Sequence, residues 1–299
     1  MMSIENKPSA FFLDDLDPRL TPARDDLAAS WLKGKVKVPH YVDPKRASVT
    51  SAVATIYRAP GDATQSIETQ LIYGEEVDVL DTKDGWSWIQ NVRDGYVGYV
   101  DATCLGKASE TAPTHRVSNI GAYVYATNNV KTTPKRLLSY GSLLNVIGEK
   151  EGTGKEPMFE LANGEGFIPC AQLTTIDFQM DDPVAECFRF LGVPRLWGGR
   201  SHLGVDCSAL IQLVFQACGI TCPRDADLQE RFLGKPVDRD DVQAGDLVFF
   251  RGHVGMMVDE STIIHVGDRS TAVSIDDLDE YARWRVKNGK TPVKMFKRL

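Results

Sequence analysis

The sequence lacks the surplus of basic residues that a nucleic-acid-binding protein needs. It has 34 lysines and arginines against 41 aspartates and glutamates, a formal net charge of -7 at pH 7, whereas phosphate binding requires an excess of cations on one face. It also lacks any run of about 18 apolar residues, and its first residues lack the cationic and apolar regions of a signal peptide. These absences exclude nucleic acid as the main partner and predict a cytoplasmic protein with no membrane span.

Cysteine is also scarce, with six in 299 residues. Six cysteines are too few for a disulfide scaffold in a chain of this length, and the cytosol would keep them reduced. Cys218 and Cys222 have no second cysteine or histidine pair at zinc-finger spacing nearby, so we expect no structural zinc there. No metal and no cofactor are predicted for the chain. One of the six is instead a candidate nucleophile.

The composition is that of a folded protein, with 42% hydrophobic and 25% charged residues, and the length predicts two or three domains. Residues 1–45 are predicted to form a leader with one short helix. Thr21 and Pro22 are typical of a helix start, and Gly34 is typical of its end. The apolar residues that would share one face of this helix are Leu20, Ala23, Leu27 and Trp31.

From residue 46 onward, short β-rich runs alternate with turn residues. The pattern of residues 46–107 returns about 68 positions later in residues 114–176, and the segment between them has the composition of a linker. Each copy has a Tyr-Gly turn before a strand, Tyr73-Gly74 and Tyr140-Gly141. The sequence therefore predicts two tandem all-β units, which resemble the bacterial SH3-like barrels found beside cell-wall enzymes.

A third domain is predicted over residues 177–299, where helical spacing begins after Asp182 and Pro183. A second helix is expected from Ser208 to Cys218, with Gly219 ending it. Three strands follow, over residues 246–250, 253–258 and 262–266. This order is typical of an α+β domain, so the predicted fold class is multidomain, with two small barrels followed by an α+β domain.

Cys207 is the best candidate nucleophile among the six cysteines. Asp206 is a plausible N-cap residue for the second helix, which places Cys207 in the first turn. There the unpaired backbone N–H groups and the positive end of the helix dipole favour thiolate over thiol.

Two histidines lie in consecutive strands that a polar turn around Glu260 joins. In an antiparallel hairpin closed by that turn, His253 falls opposite or one diagonal step from His265, on the same face. Gly255 on that face would let the Cys207 helix or a substrate approach closely. In this arrangement His253 takes the thiol proton and later protonates the leaving amine, while His265 fixes its orientation and tautomer.

Two other interpretations use the same residues. Cys207 could be a small buried residue, as most free cysteines are, or the thiol and the two imidazoles could bind zinc. The glycine-rich loop Trp197-Gly198-Gly199, which leads to the second helix, favours the interpretation of Cys207 as a nucleophile. A catalytic cysteine would account for a flexible loop beside it, whereas a buried cysteine or a zinc site would not.

The residues of the third domain resemble the NlpC-type cysteine peptidases of bacterial cell-wall metabolism. The motifs that carry the resemblance occur in order over most of Asp182 to Leu299: Trp197-Gly-Gly-Arg200, Asp206-Cys207-Ser208, Pro223-Arg224-Asp225, Ala244-Gly-Asp-Leu-Val-Phe249, Gly252-His253-Val-Gly255 and Ile264-His265. Ala209 departs from the usual glycine after Asp-Cys-Ser. The resemblance implies a papain-like fold and a catalytic set of Cys207, His253 and His265.

With two SH3-like copies in front, the chain is similar to the subgroup that trims free murein peptides. This similarity implies cleavage of L-Ala-γ-D-Glu-diamino acid, with the free α-amine held by carboxylates beside the nucleophile. The substrate-binding residues predicted on this basis are Asp206, Ser208, Arg224, Asp225 and Trp197 from the third domain, with Glu68 and Tyr96 from the first barrel.

We therefore predict a cysteine peptidase that hydrolyses the γ-D-glutamyl-diamino acid bond of free murein peptides, with lysine or diaminopimelate in the third position. A cytoplasmic enzyme of this kind would recycle imported peptides. The alternatives are a murein-fragment-binding protein with an inert third domain, and a thiol amidase or acyltransferase that acts on a non-murein substrate. The sequence leaves the oligomeric state open.

Overall fold

A computed structural model describes residues 16–61 and 66–299 of the chain. The chain divides into two compact units. The first ends at Leu173, and the second comprises Thr174–Leu299 together with the short segment Ser118–Gly121. The succession of small β-barrels and then an α+β domain confirms the predicted fold class.

The described part of the leader is not helical, so the predicted short helix is wrong. Strand β1, Leu27–Ala29, pairs in parallel with β2, His40–Val42, and a single 3-10 turn covers Ser30–Leu32. All three residues of β1 are buried, in a cluster that includes Leu80 and Trp88 of the first barrel. Burial on every side, rather than along one stripe, overrides the weak helical preference of this segment.

The first barrel follows directly. Its strands are β3 Lys45–Val49, β4 Val53–Tyr57, β5 Ile67–Ile72, β6 Glu76–Lys83, β7 Trp86–Asn91, β8 Val97–Asp101 and β9 Leu105–Lys107. They form a sheet in the order β5-β4-β8-β7-β6-β3-β9. Alternating apolar residues point inward, as in any small barrel, and the core includes Ile56, Leu71, Ile89 and Val100.

The second barrel repeats this plan. Its strands are β10 His115–Val117, β11 Gly121–Tyr125, β12 Pro134–Ser139, β13 Leu143–Leu144, β14 Val146–Glu151, β15 Pro157–Leu161, β16 Gly166–Pro169 and β17 Leu173–Thr175. They form sheets of order β13-β10-β17 and β12-β11-β16-β15-β14. The 3-10 turns at Ala102–Cys104 and Cys170–Gln172 occupy equivalent places in the two copies, which confirms the predicted internal repeat.

The two Tyr-Gly turns also correspond in the structure. Gly74 and Gly141 both have a φ of 81°, in the left-handed region that favours glycine. At Gly74 a second constraint applies, because an added Cβ would lie 2.3 Å from the carbonyl oxygen of Leu143. The backbone N–H of Leu143 donates to the carbonyl of Tyr73 at 3.0 Å, so this turn joins the two barrels.

The α+β domain combines four helices with two sheets in the described residues. Its helices are α1 Pro183–Phe188, α2 Cys207–Ala217, α3 Ala226–Phe232 and α4 Leu278–Lys287. Its strands are β18 Arg200–Ser201, β19 Gly204–Val205, β20 Lys235–Val237, β21 Leu247–Phe250, β22 His253–Met257, β23 Thr262–His265, β24 Ser274–Asp277 and β25 Met295–Arg298. The larger sheet has the order β20-β25-β21-β22-β23-β24, and helix α2 packs against β22.

The register of the β22–β23 hairpin confirms the predicted placement of the two histidines. Gly255 pairs with His265, so His253, two residues earlier, lies diagonally across from His265 on the same face. At Gly255 an added Cβ would lie 2.4 Å from Ile263 Cδ1 and 3.0 Å from His265 Cβ, so the missing side chain makes room for the partner strand. The predicted close approach of helix α2 or of a substrate at Gly255 stays a prediction.

No helix within the described ranges is long and apolar enough to cross a membrane.

Candidate active site

The start of helix α2 positions Cys207. Asp206 is the N-cap residue, and its carboxylate accepts a hydrogen bond from the backbone N–H of Ala209 at 2.8 Å. This cap satisfies one of the unpaired donors at the helix start. Cys207 therefore lies in the first turn, as predicted.

The surroundings of Cys207 favour the thiol over the thiolate, opposite to the direction predicted from the helix start. Burial raises its pKa to about 12, and the negative charge of Asp206 acts in the same direction. The backbone N–H groups of Val254 and Ser208 and the charge of Arg224 lower the pKa, but by less. The cost of removing a thiolate from water and the adjacent carboxylate therefore outweigh the helix start.

His253 and His265 form a hydrogen-bonded chain that ends on a carboxylate. His253 Nε2 lies 2.8 Å from His265 Nδ1, and His265 Nε2 lies 2.9 Å from Oδ2 of Asp276. Both imidazoles are buried, with 6% and 0% of their surfaces exposed. Asp276 is in strand β24, diagonally across from His265, and sequence reasoning missed it.

This chain fixes the tautomer of His253. The Asp276 carboxylate accepts, so His265 Nε2 carries a proton, and in neutral His265 the Nδ1 atom is then an acceptor. His253 Nε2 must donate to it, which leaves His253 Nδ1 with a free lone pair. The hydrogen bond from His265 lowers the pKa of Asp276, which keeps this carboxylate ionised.

His253 is held neutral as well as oriented. Burial and then the neighbouring His265 lower its pKa well below the usual 6.5, and the positive charges of Arg285, Arg195 and Lys290 lower it further. Both pKa shifts favour a neutral thiol and an unprotonated imidazole over an ion pair at neutral pH. Such a pair transfers the thiol proton during attack on the substrate rather than before it.

Aromatic packing holds the imidazoles in place. The ring of Tyr281 in α4 lies edge-on to His265 with 4.3 Å between centroids, and the ring of Phe250 lies 5.6 Å from His253. Gly267 allows the close fit, because a Cβ at this position would lie 2.5 Å from Cε1 of His265. The histidine pair is thus part of the domain's core as well as of its chemistry.

Cys207 and His253 line one cleft of about 370 Å³. Trp197 lies at its rim with 71% of its surface exposed, which places this predicted substrate-binding residue beside the reacting pair. Arg195, Arg251 and Asp268 also line the cleft, and sequence reasoning missed them.

Three predicted substrate-binding residues form one network beside Cys207. Arg224, 1% exposed, donates to both carboxylate oxygens of Asp206 at 3.0 and 2.8 Å and to the hydroxyl oxygen of Ser208 at 3.0 Å. Asp225 is the N-cap residue of α3 and follows Arg224 directly. The bidentate pair fixes the Asp206 carboxylate next to the thiol.

Glu68 and Tyr96 belong to the first barrel. The Tyr96 hydroxyl donates to Oε2 of Glu68 at 3.3 Å, and Arg58 lies 2.9 Å from Oε1 of the same carboxylate. Tyr96 is 2% exposed and part of the barrel core. Their contribution to substrate binding stays a prediction.

The geometry of the imidazoles favours proton transfer over a metal site. His253 Nε2 and His265 Nδ1 point at each other within hydrogen-bond distance, whereas two ligands of one metal ion would both point at the ion. Among the described residues, no group of three or more histidine, cysteine or acidic side chains has the arrangement of a metal site.

Comparisons with known proteins agree with this site. The NlpC/P60 family model matches residues 192–287, and a model described as the bacterial dipeptidyl-peptidase Sh3 domain matches residues 56–105. A Bacillus subtilis protein named gamma-D-glutamyl-L-lysine dipeptidyl-peptidase is 31% identical over 236 residues, covering 72% of this chain and 77% of that protein. Dipeptidyl-peptidase 6 of Lysinibacillus sphaericus is 27% identical, over 78% of this chain and 92% of the relative.

A solved structure supports the fold. An NlpC/P60 family protein from Bacillus cereus superposes with a TM-score of 0.69 at 22% identity, covering 85% of this chain and 99% of the other. The sequence match extends over both the barrel region and the α+β domain. The chain therefore belongs to the NlpC/P60 family and is a cysteine peptidase with an N-terminal SH3-like region.

Proposed function

We propose that this peptidase hydrolyses the γ-D-glutamyl-L-diamino acid bond of free murein peptides that begin with L-alanine. The observation that carries the proposal is the chain from Asp276 through His265 to His253, which supplies a neutral base in the cleft that Cys207 lines. The names of the relatives, which match the chain through the barrels as well as the peptidase domain, support the choice of bond.

The reaction begins with a proton transfer from the Cys207 thiol to His253 Nδ1 as sulfur attacks the γ-carbonyl carbon. The unpaired N–H groups at the start of α2 favour the negative charge that develops on the carbonyl oxygen. His253 then gives its proton to the amine of the leaving diamino acid, and the C–N bond breaks. A thioester between Cys207 and L-Ala-γ-D-Glu remains.

Water completes the cycle. His253 accepts a proton from the water as its oxygen attacks the thioester carbon, the C–S bond breaks, and the proton returns to the sulfur. The products are L-Ala-γ-D-Glu and the free diamino acid, and the enzyme regains its neutral pair. The partly buried Asp276 carboxylate stabilises the imidazolium charge that forms transiently in each half-reaction.

A free α-amine is the second element of the proposed specificity. The Asp206 carboxylate is held beside Cys207 by Arg224, and 19% of its side chain remains exposed. A carboxylate fixed in this way suits an ammonium group that lies two residues before the scissile bond. Asp225 is a further candidate for this role.

The proposal is tested with L-Ala-γ-D-Glu-diaminopimelate, its N-acetylated form and its α-linked isomer, with product release measured by chromatography. We expect cleavage of the first peptide, at least about tenfold slower cleavage of the acetylated peptide because it lacks the charge, and no cleavage of the α-linked isomer. Equal cleavage of the first two peptides would refute the amine requirement. Binding of all three without cleavage would instead favour a murein-fragment-binding protein, and cleavage of none with activity on other amides would favour a non-murein substrate.

We also propose that the enzyme acts in the cytoplasm on imported peptides. All six cysteines are free, which suits a reducing compartment. Subcellular fractionation of the source cells tests this proposal: we expect the protein with cytoplasmic markers, and recovery outside the membrane would contradict it.

A further inference from the structure

One wall of the cleft is cationic although the chain as a whole has a net charge of -7. The side chains of this cationic wall are Arg195, Arg251, Arg285 and Lys290. The carboxylates that line the same cleft are Asp206 and Asp268, and Asp206 is already paired with Arg224. The cationic wall therefore carries more positive charge than its neighbours neutralise.

Asp268 contacts three side chains of this cationic wall but neutralises only one of their charges. One carboxylate faces three cations: Arg195 Nη2 lies 2.8 Å from Oδ1, Arg285 Nη1 lies 3.8 Å from Oδ2, and Lys290 Nζ also contacts Oδ2. Burial alone would raise the pKa of Asp268, but these cations lower it, so the carboxylate is ionised and still outnumbered.

Arg251 adds a further positive charge next to the reacting pair. It precedes Gly252 and His253 and is exposed in the cleft. In the described part of the chain its guanidinium has no ion pair with an acidic side chain. An exposed guanidinium without a carboxylate partner suits a bidentate interaction with a carboxylate of the substrate.

His253 must reach the leaving nitrogen to protonate it, so the diamino acid lies beside the imidazole. His253 and the cationic wall line the same cleft. Arg251 lies two residues before His253, and the Arg285 guanidinium lies 4.7 Å from the centroid of the Phe250 ring, which packs beside His253. We therefore infer that the cationic wall is on the leaving-group side of the scissile bond. Asp206 and Arg224 flank Cys207 instead.

We propose that the cationic wall binds the side-chain carboxylate of the leaving diamino acid and thereby selects diaminopimelate over lysine. This inference rests on the proposed function. The side chain of diaminopimelate ends in a carboxylate beside its ammonium, whereas that of lysine ends in an ammonium alone, which the cationic wall repels. The difference is roughly 10- to 100-fold in kcat/KM, as for one hydrogen bond to a charged group.

The experiment compares kcat/KM for L-Ala-γ-D-Glu-diaminopimelate and L-Ala-γ-D-Glu-L-lysine in the wild type and in Arg251→Gln and Lys290→Gln. Lys287→Gln, an exposed lysine of α4 outside the cleft, is the matched control. We expect the wild type and the control to prefer diaminopimelate by about tenfold or more. Each cleft variant should lose most of that preference, because diaminopimelate cleavage slows while lysine cleavage does not. Higher ionic strength should reduce the wild-type preference.

A third peptide identifies which carboxylate the cationic wall binds. In this peptide the α-carboxylate of D-glutamate is replaced by an amide. The ratio of kcat/KM between the wild type and Arg251→Gln should be the same for this peptide as for L-Ala-γ-D-Glu-diaminopimelate. A ratio that collapses with the amide would assign the cationic wall to D-glutamate and overturn the inference.

The remaining outcomes separate the two levels of the proposal. Cleavage of both peptides with equal rates or with lysine preferred overturns the inference and leaves the proposed function standing. A preference that survives in both cleft variants also overturns it. Cleavage of neither peptide by the wild type overturns the proposed function and the inference with it.

Discussion

The two sides of the cleft hold their charged groups in different ways. On the helix side, Asp206 and Arg224 form a closed bidentate pair, and Arg224 is 1% exposed. On the strand side, one carboxylate, Asp276, ends a chain of two imidazoles, and another, Asp268, is outnumbered by cations. The closed pair holds the Asp206 carboxylate in one position at the start of α2, whereas the strand side leaves cationic charge that its carboxylates do not balance.

The two reacting groups come from different sides of the cleft. The helix side supplies a thiol with a pKa raised to about 12, which is a poor nucleophile alone. The strand side supplies a neutral base with a fixed tautomer. In the proposed mechanism the thiol proton therefore passes from one side to the other during attack on the substrate.

The largest effect is expected on the helix side from Cys207→Ala. Removal of the nucleophile should lower kcat/KM by about 10⁴-fold or more, measured by hydrolysis of L-Ala-γ-D-Glu-diaminopimelate. Cys218→Ala, at the opposite end of the same helix, is the matched control and should keep wild-type activity. Substantial activity in Cys207→Ala would show that the thiol is not the nucleophile.

On the strand side, Asp276→Asn should lower kcat by roughly 100-fold, less than the ~10⁴-fold known when an aspartate bonded directly to a catalytic histidine is replaced. An asparagine amide can donate to His265 Nε2, which reverses the direction of both hydrogen bonds in the chain. His253 Nδ1 would then carry a proton and could not accept one from the thiol. We expect KM to change little. Asp279→Asn, 67% exposed, is the control, and equal kcat in the two variants would refute the tautomer argument.

The closed pair should matter most for stability. Arg224→Met leaves Asp206 without its buried partner and should lower the free energy of unfolding by about 3 kcal/mol, measured by urea titration. Lys235→Met, an exposed lysine of the same domain, should change it by less than about 0.5 kcal/mol. A loss of activity in Arg224→Met at unchanged stability would instead make Arg224 a substrate contact.

The smallest effect expected is a shift of the pH profile. Because the pKa of His253 is lowered below 6.5, its base form persists at neutral pH, and kcat/KM should fall only at pH values below 6.5. Arg195→Met removes one of the cations that lower this pKa, so in this variant kcat/KM should begin to fall at a higher pH than in the wild type. An acid limb above 6.5 in the wild type would contradict the neutral resting pair.

Much of the site follows from local sequence patterns. Asp206 and Cys207 were predictable because an N-cap acts on its own helix, and the histidine register followed from one short turn. Asp276 was accessible to the same reasoning, since Ser274 and Asp276 alternate on the strand that pairs with β23. A third strand paired with β23 in the sequence-based prediction would have placed the Asp276 carboxylate beside His265.

Other features depend on contacts that the sequence does not contain. The leader segment is buried against Leu80 and Trp88, which local helix signals do not reveal. The raised pKa of Cys207 results from burial and the Asp206 charge, and the cationic wall combines Arg195 with residues 251–290 from distant parts of the chain. In each case long-range packing, rather than local preference, determines the outcome.

The central claim is that Cys207 carries the acyl group of the substrate between the two half-reactions. Rapid acid quenching during turnover of L-Ala-γ-D-Glu-diaminopimelate, followed by peptide mass spectrometry, tests it directly. We predict an L-Ala-γ-D-Glu thioester on Cys207, which should be absent in Cys207→Ala and more abundant in a variant with slowed deacylation. Full turnover with no adduct on Cys207, or with an adduct on another residue, would contradict it.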